Sequence, residues 1–249
     1  MPTFFSSIVL ENKKLNDKFH HLRLRAENPD FQFKTGQFTV LKIDSLTYRS
    51  YSISSTPQKL PLWEMFVDVT PQGPGTRYLE SLKPGQAIET SRPAGNFIIT
   101  QKAPRNIIFG ATGCGIASIK PLIEQLLTQP ASPAKQNEQP AIHIQLFWGL
   151  RHIKDIVWQE NFKQWAKDHP SFHYQIYLSR PEGPWDGKTG HINTGLLTLT
   201  KTLLPLQTAV YLCGSLEMIT DITEQLSVAG FPDKQIFFEH YFAGNKNRT

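Results

Sequence analysis

A chain of 249 residues with 39% hydrophobic and 19% charged side chains is globular rather than disordered, and long enough for one large domain or two ordinary ones. Its longest apolar runs, such as Ala141–Leu150, reach about half of the roughly 20 residues that a membrane-spanning helix needs, so no span is expected. The net charge of +5 comes without a Lys/Arg run interleaved with aromatics; this argues against nucleic acid and leaves a solvated basic surface or the steering of an acidic partner.

The first hundred residues read as short strands broken by turns: Phe4–Leu10, His20–Arg25, Gln37–Ile43, Arg49–Ile53, Leu62–Val69 and Ala87–Ser91. One helical stretch, around Thr76–Leu82, interrupts them. Strands at this density predict an antiparallel barrel, whose closure removes exposed sheet edges. After Lys102-Ala103-Pro104 the rhythm changes. Strands at Asn106–Phe109, Ile142–Trp148, His173–Leu178, Ala209–Cys213 and Gln235–Phe238 alternate with helices at Ile116–Leu127, Gln159–Lys167, Leu196–Thr202 and Leu216–Ala229. Alternation of this kind predicts a parallel sheet covered on both faces, with ligands beyond the carboxyl ends of its strands. The expected organisation is two domains, a β-barrel over residues 1–101 and an α/β domain over 102–249. Thr128–Pro140 reads as a surface loop, and Asn245–Thr249 as a polar tail.

Five segments offer chemistry. Arg49-Ser50-Tyr51-Ser52 closes a barrel strand with a guanidinium for phosphate, a phenol ring for a flat heterocycle, and a hydroxyl. Strand alternation sends Arg49 and Tyr51 to one side. Gln72-Gly73-Pro74-Gly75-Thr76 opens a helix whose free amide N–H groups suit a diphosphate, and fits an ordinary turn and cap equally well. Gly110-Ala111-Thr112-Gly113-Cys114-Gly115 joins a strand to a helix, with glycines that let a pyrophosphate approach the helix's positive end. Pro121 inside that helix either kinks its start or marks a later beginning. Cys213-Gly214 and Glu239-His240-Tyr241 end two later strands; Cys213 reads as a buried packing residue or as one wall of a ring-binding site.

The other residues exclude several chemistries. Cys114 and Cys213 are too few for an iron–sulfur cluster, which wants about four thiolates. The start of the chain lacks a basic stretch followed by an apolar one, so no secretion signal and a reducing cytoplasm are expected. The histidines show no metal spacing, and no nucleophile elbow is present. Trp185-Asp186-Gly187-Lys188 reads as a turn.

Taken in order, the motifs resemble the ferredoxin–NADP(+) reductase superfamily along nearly the whole chain. Arg49 to Ser52 is similar to its R-x-Y-S flavin motif, Gly73 to Thr76 to its diphosphate motif, and Thr112-Gly113-Cys114-Gly115-Ile116-Ala117 to its pyridine-nucleotide loop. Lys83-Pro84-Gly85, Pro93 to Phe97, Phe147-Trp148-Gly149-Leu150-Arg151 and Cys213-Gly214 match further pieces. The resemblance implies FAD held by Arg49, Ser50, Tyr51, Ser52, Gly75 and Thr76, with Tyr51 packed on the isoalloxazine and Ser52 near flavin N5. It implies a nicotinamide dinucleotide held by Thr112, Gly113, Cys114, Gly115, Arg151, Ser179 and Arg180. The Ser179-Arg180 pair leans toward NADPH, although relatives using NADH carry a similar pair. Ser52, Cys213, Glu239 and Tyr241 are the implied active-site residues, Tyr241 stacking on the flavin. In two respects the chain departs from the pattern. Residues 242–249 follow that tyrosine, and Ser118 stands where the family often has proline.

The function implied is hydride transfer between NADPH and FAD, with single electrons passing to or from an acidic ferredoxin- or flavodoxin-type carrier. An excess of three basic residues over acidic ones in the first hundred fits such a carrier. The alternative is an NAD(P)H:flavin reductase or the reductase component of a multicomponent oxygenase. From another class comes a non-catalytic subunit built on the same scaffold. Hydride transfer further requires that Tyr51 and Ser52 face the glycine-lined turn across a cleft for two stacked rings.

Overall fold

The computed structural model describes residues 4–99, 104–128 and 142–240. The segments around the expected domain boundary, the 128–140 loop and the C-terminal tail lie wholly or mostly outside the described residues. The chain divides into two compact units: residues 4–99 with 117–128 and 154–157, and residues 104–116 with 142–153 and 158–240.

The first unit holds strands β1 (Phe4–Lys14), β2 (Phe19–Ala26), β3 (Phe38–Lys42), β4 (Tyr48–Ser52), β5 (Leu62–Asp68) and β6 (Ala87–Ser91), with helix α1 (Pro74–Ser81) before the last. They form an antiparallel sheet in the order β4-β3-β6-β1-β2-β5. Its outer strands meet, because Ser54 N–H donates to the Glu64 carbonyl at 2.8 Å and Glu64 N–H to Ser55 Oγ at 3.1 Å, so the sheet closes. Period-two patterning aims the core: Leu22, Leu24 and Ala26 point inward while Arg23 and Arg25 face solvent. Phe5, Val9, Phe31, Trp63 and Met65 fill the interior, with Trp63 Nε1 donating to Ser7 Oγ at 3.1 Å.

Strand β1 runs four residues past its expected end. Glu11 to Lys14 are poor strand formers, but each pairs with β2 (Lys14 opposite His20), and the hairpin overrides local propensity. Gly36 sits at φ +91°, where an added Cβ would run into the Phe97 carbonyl. That position needs glycine on both counts.

The second unit is built on a parallel sheet in the order β10-β9-β8-β7-β11-β12. Its strands are β7 (Asn106–Thr112), β8 (His143–Leu150), β9 (Phe172–Leu178), β10 (Lys188–Thr189), β11 (Thr208–Gly214) and β12 (Ile236–His240). Helices α3 (Gln159–Asp168), α4 (Ile192–Thr200) and α5 (Leu216–Val228) separate them, and α2 (Ile116–Thr128) leaves β7 through a short 3₁₀ turn. Ile192, Leu196, Met218 and Ile222 pack on Ile108, Phe147, Val210 and Leu212. Strand β7 runs three residues past its expected end, through Thr112, and two further elements differ from expectation. Lys188 and Thr189 pair with Tyr177 and Leu178 as a two-residue edge strand, so the segment read as a turn ends in β10. Helix α4 starts one turn early, at Ile192, through Gly195, whose missing side chain makes room for the Tyr177 hydroxyl. Helix α2 begins at Ile116 and continues through Pro121, which gives up only the N–H that would meet the Ala117 carbonyl.

Charges are paired where the first unit closes. Lys59 Nζ stands 3.2 Å from Glu124 and 3.8 Å from Glu64, and His21 is 3.5 Å from Glu64. Burial pulls the Glu64 carboxyl upward, but the His21 hydrogen bond and the Lys59 charge outweigh it and hold the group below its usual range. Burial lowers the Lys120 ammonium despite the Glu124 carboxylate at 3.7 Å.

His20, only 6% exposed, has Nδ1 3.0 Å from Asn12 Oδ1, and burial holds its imidazole below its ordinary 6.5. A base kept neutral by folding takes up more protons unfolded, so stability falls as pH drops from 6.5 toward the depressed value. The urea midpoint should therefore decrease between about pH 7.5 and about pH 5, and His20→Gln should flatten that stretch of the profile. Equal slopes in the two proteins would contradict it.

Candidate active site

Strand β4 delivers its residues by alternation. Arg49 and Tyr51 share one side, and both lie against Gly75 in the first turn of α1. A Cβ added there would stand 2.5 Å from Tyr51 Oη and 2.9 Å from Arg49 Cγ. Only a hydrogen fits, so the helix approaches the two side chains at backbone distance. The helix opens with Pro74 at its first position, and its N-cap, Gly73, offers no side-chain cap to the first-turn amides. The stem of Arg49, the Tyr51 hydroxyl and the uncapped N–H groups thus meet at the start of α1, with donors of the kind a diphosphate takes. Arg49 Nη1 meanwhile donates to the Tyr48 carbonyl at 2.8 Å, and Thr76 Oγ1 to the Gly73 carbonyl at 3.0 Å. Thr76 therefore serves the helix's first turn with its hydroxyl and leaves its amide for a ligand. Ser50 is exposed on the opposite side of the strand. Ser52, the last residue of β4, is 6% exposed and accepts a hydrogen bond at 2.8 Å from the wholly buried Ser118 Oγ of α2.

In the second unit the β7–α2 turn is held by its neighbours. Gly113 has φ +52° and open space beyond its Cα, while Gly115 lies directly on the Cys213 carbonyl, where a Cβ would collide. Trp148 Nε1 donates to the Gly113 carbonyl at 2.9 Å, and Ser215 N–H donates to Thr112 Oγ1 at 2.9 Å. Cys114 is half-buried on this turn. Cys213 is fully buried, and its register neighbours are Ala111 on β7 and Glu239 on β12, so Cys213 and Glu239 share one face at the carboxyl end of the sheet. Behind them Tyr211 stacks on Phe237 with centroids 4.5 Å apart, and burial pushes its phenol up to about 12, which keeps it an uncharged core ring.

At the ends of β8 and β9, Ser179 N–H donates to the Leu150 carbonyl at 3.0 Å and Arg180 N–H to the Arg151 carbonyl at 2.9 Å. Arg151, Ser179 and Arg180 are thereby brought together, both arginines exposed. His152 Nδ1 lies 3.1 Å from the Arg180 carbonyl and 3.4 Å from Glu182. The fold thus assembles the expected residues in three clusters: Arg49, Tyr51, Gly75 and Thr76; Thr112 to Gly115 with Cys213 and Glu239; and Arg151 with Ser179 and Arg180. Tyr241 lies outside the described residues. Sequence reasoning passed over Trp148, Ser215 and Ser118, which fix the turn and the Ser52 hydroxyl. Trp148 stood inside a quoted motif, and Ser118 was visible as a departure from proline. Nothing local pointed to Ser215. Among the described residues, no group of three or more His, Cys, Asp and Glu stands close enough to hold a metal ion, and no helix is long and apolar enough to cross a membrane.

Two family models match the chain: the oxidoreductase FAD-binding domain over residues 8–99 and the oxidoreductase NAD-binding domain over residues 109–224. Ferredoxin–NADP reductase B of Sorangium cellulosum is 27% identical over 225 residues, 87% of this chain and 88% of that protein. Phenol hydroxylase P5 protein of Acinetobacter pittii is 27% identical over 243 residues, 96% of this chain. The chain spans 66% of that relative and about half of the Na(+)-translocating NADH-quinone reductase subunits F it also matches, such as the Klebsiella pneumoniae protein at 51%. Among solved structures, a Neisseria gonorrhoeae ferredoxin NADP+ reductase with bound FAD and NADP aligns with a TM-score of 0.80 at 20% identity, covering 97% of this chain and all of that one. An Amycolatopsis cytochrome P450 reductase aligns at 0.82 and 20% identity, over 96% of this chain and 69% of that one. These likenesses establish the fold, and the two domain matches fall on the two halves in which the donor sets were found. The chain is an FAD- and NAD(P)-binding oxidoreductase of the ferredoxin–NADP(+) reductase superfamily.

Proposed function

We propose that this flavoprotein transfers hydride between NADPH and FAD and exchanges single electrons with an acidic ferredoxin- or flavodoxin-type carrier. The observation that supports the reading is the contact of the Arg49 stem and the Tyr51 hydroxyl with Gly75 at the uncapped start of α1, where these side chains and amides suit the FAD diphosphate. Bound FAD supplies a cofactor that takes up hydride as a pair of electrons and releases electrons one at a time. Tyr51 offers its ring to the isoalloxazine, and Ser52 a hydroxyl near N5. Cys213 and Glu239 line the nicotinamide's side of the reaction, with Tyr241 as the expected stacking partner. The turn from Thr112 to Gly115 presents backbone N–H groups to the pyrophosphate. NADPH is favoured over NADH because Arg151 and Arg180 stand side by side with Ser179, a set of donors for a 2′-phosphate. The basic surplus of the first hundred residues suits an acidic carrier.

A second reading, the reductase component of an oxygenase or an NAD(P)H:flavin reductase, has the phenol hydroxylase P5 match in its favour. Turnover of added free flavin, with no flavin retained on gel filtration, would favour the flavin reductase.

Protein loaded with FAD is expected to be yellow and to bleach faster with NADPH than with NADH. Cytochrome c reduction should rise on adding ferredoxin or flavodoxin and fall with salt; a rate indifferent to both would exclude the carrier. Gly75→Ala, which forces Tyr51 and Arg49 off the helix, should weaken FAD retention about tenfold or more, read by fluorescence titration of the apoprotein. Arg180→Ala should lower kcat/KM for NADPH about tenfold while leaving NADH within about twofold, measured by steady-state kinetics.

A further inference from the structure

Asn12 reaches the inward face of β1 through an irregularity. Val9 pairs with Leu24 and Glu11 with Arg23, so Leu10 is an extra residue, a β-bulge. Unbroken alternation would send Asn12 to the other side from Val9. The bulge instead sets it opposite Leu22, on the face of the buried Leu22 and Leu24. There its Nδ2 lies 2.9 Å from the Leu79 carbonyl, 3.4 Å from that of Glu80 and 2.9 Å from that of Leu82. Carbonyls only accept, so the amide nitrogen must be the atom that faces them. Oδ1 then faces His20 Nδ1 at 3.0 Å, and because that oxygen accepts, the imidazole proton sits on Nδ1. His20 Nε2 is buried with no hydrogen-bond partner among the described residues, a place for a lone pair rather than a second proton.

The carbonyls that Asn12 meets belong to the end of α1 and its exit, where a helix leaves acceptors short of partners. At eight residues α1 is too short to be stable by itself. Its start rests on Tyr51 and Arg49 through Gly75, and its end rests on Asn12. We propose that Asn12, aimed by the bulge and held by His20, is a positioning residue for FAD: it clamps the carboxyl end of α1 so that the amides at the opposite end stay set for the diphosphate. The inference rests on the reading of Gly75 and Thr76 as contacts of that diphosphate, and adds a side chain that acts only through the helix.

The test titrates full-chain apoprotein with FAD and follows flavin fluorescence, comparing wild type, Asn12→Ala, Asn12→Asp, Gly75→Ala and the double variant Asn12→Ala with Gly75→Ala. Asn12→Ala is expected to weaken FAD about fivefold. Asn12→Asp keeps the shape and still accepts from His20, but turns an oxygen toward the α1 carbonyls; it should lose at least as much affinity. This near-isosteric variant also carries the test should Asn12→Ala fail to fold. The double variant should bind FAD little worse than Gly75→Ala alone, because both changes act on the placement of one helix. FAD affinity unchanged in the Asn12 variants, affinity kept in Asn12→Asp, or losses that add in full in the double variant would overturn the proposal while leaving the flavoprotein reading intact. Wild-type apoprotein that takes up no FAD would bring down both.

Discussion

Two helix starts in this protein are shaped by a hydrogen standing where a side chain would be. At residue 75 the first turn of α1 touches Tyr51 and Arg49, and at residue 115 the turn after β7 rests on the carbonyl of Cys213. Both contacts bring a helix start within backbone distance of a neighbouring strand, where its N–H groups are otherwise uncapped or newly turned. Anion binding at a helix N-terminus depends on that proximity, because the field of the terminal amides falls off within about one turn. Widen either contact by a methyl group, and the donors no longer point at one volume.

Much of this was legible beforehand, for physical reasons that differ between the two halves. Strands β2 and β6 follow their alternation closely because one face is core and the other is wet, whereas Met65, Phe66 and Val67 of β5 are all buried. The parallel strands were legible as apolar runs between helical periods. What escaped was decided by distant partners. Glu11 to Lys14 continue β1 only because β2 pairs with them. Gly195 sits inside α4 because the Tyr177 hydroxyl needs the space. In the site, Arg49, Tyr51 and Gly75 were readable as chemistry, whereas the bonds from Trp148 and Ser215 to the glycine turn join residues 35 and 103 positions apart and leave no trace in local pattern.

The polar groups of the first unit fall into two kinds. The Lys59, Glu64, Glu124 and Lys120 set is a largely buried run of alternating charge, whose attractions outweigh burial at Glu64 but not at Lys120. Such a chain of alternating charge adds orientation more than net stability, since desolvation cancels much of the attraction. The Ser52–Ser118 pair is different: two neutral, buried hydroxyls 2.8 Å apart.

Trp148 has a consequence of its own. Its indole is fully buried, lies edge-on to Phe162 at 6.0 Å, and ties its ring N–H to the Gly113 carbonyl. A glycine-rich turn would ordinarily sample many backbone states and lose that freedom when a dinucleotide docks. Tied to a buried aromatic ring, the turn has surrendered part of this freedom on folding, so a docking dinucleotide meets a smaller ordering penalty.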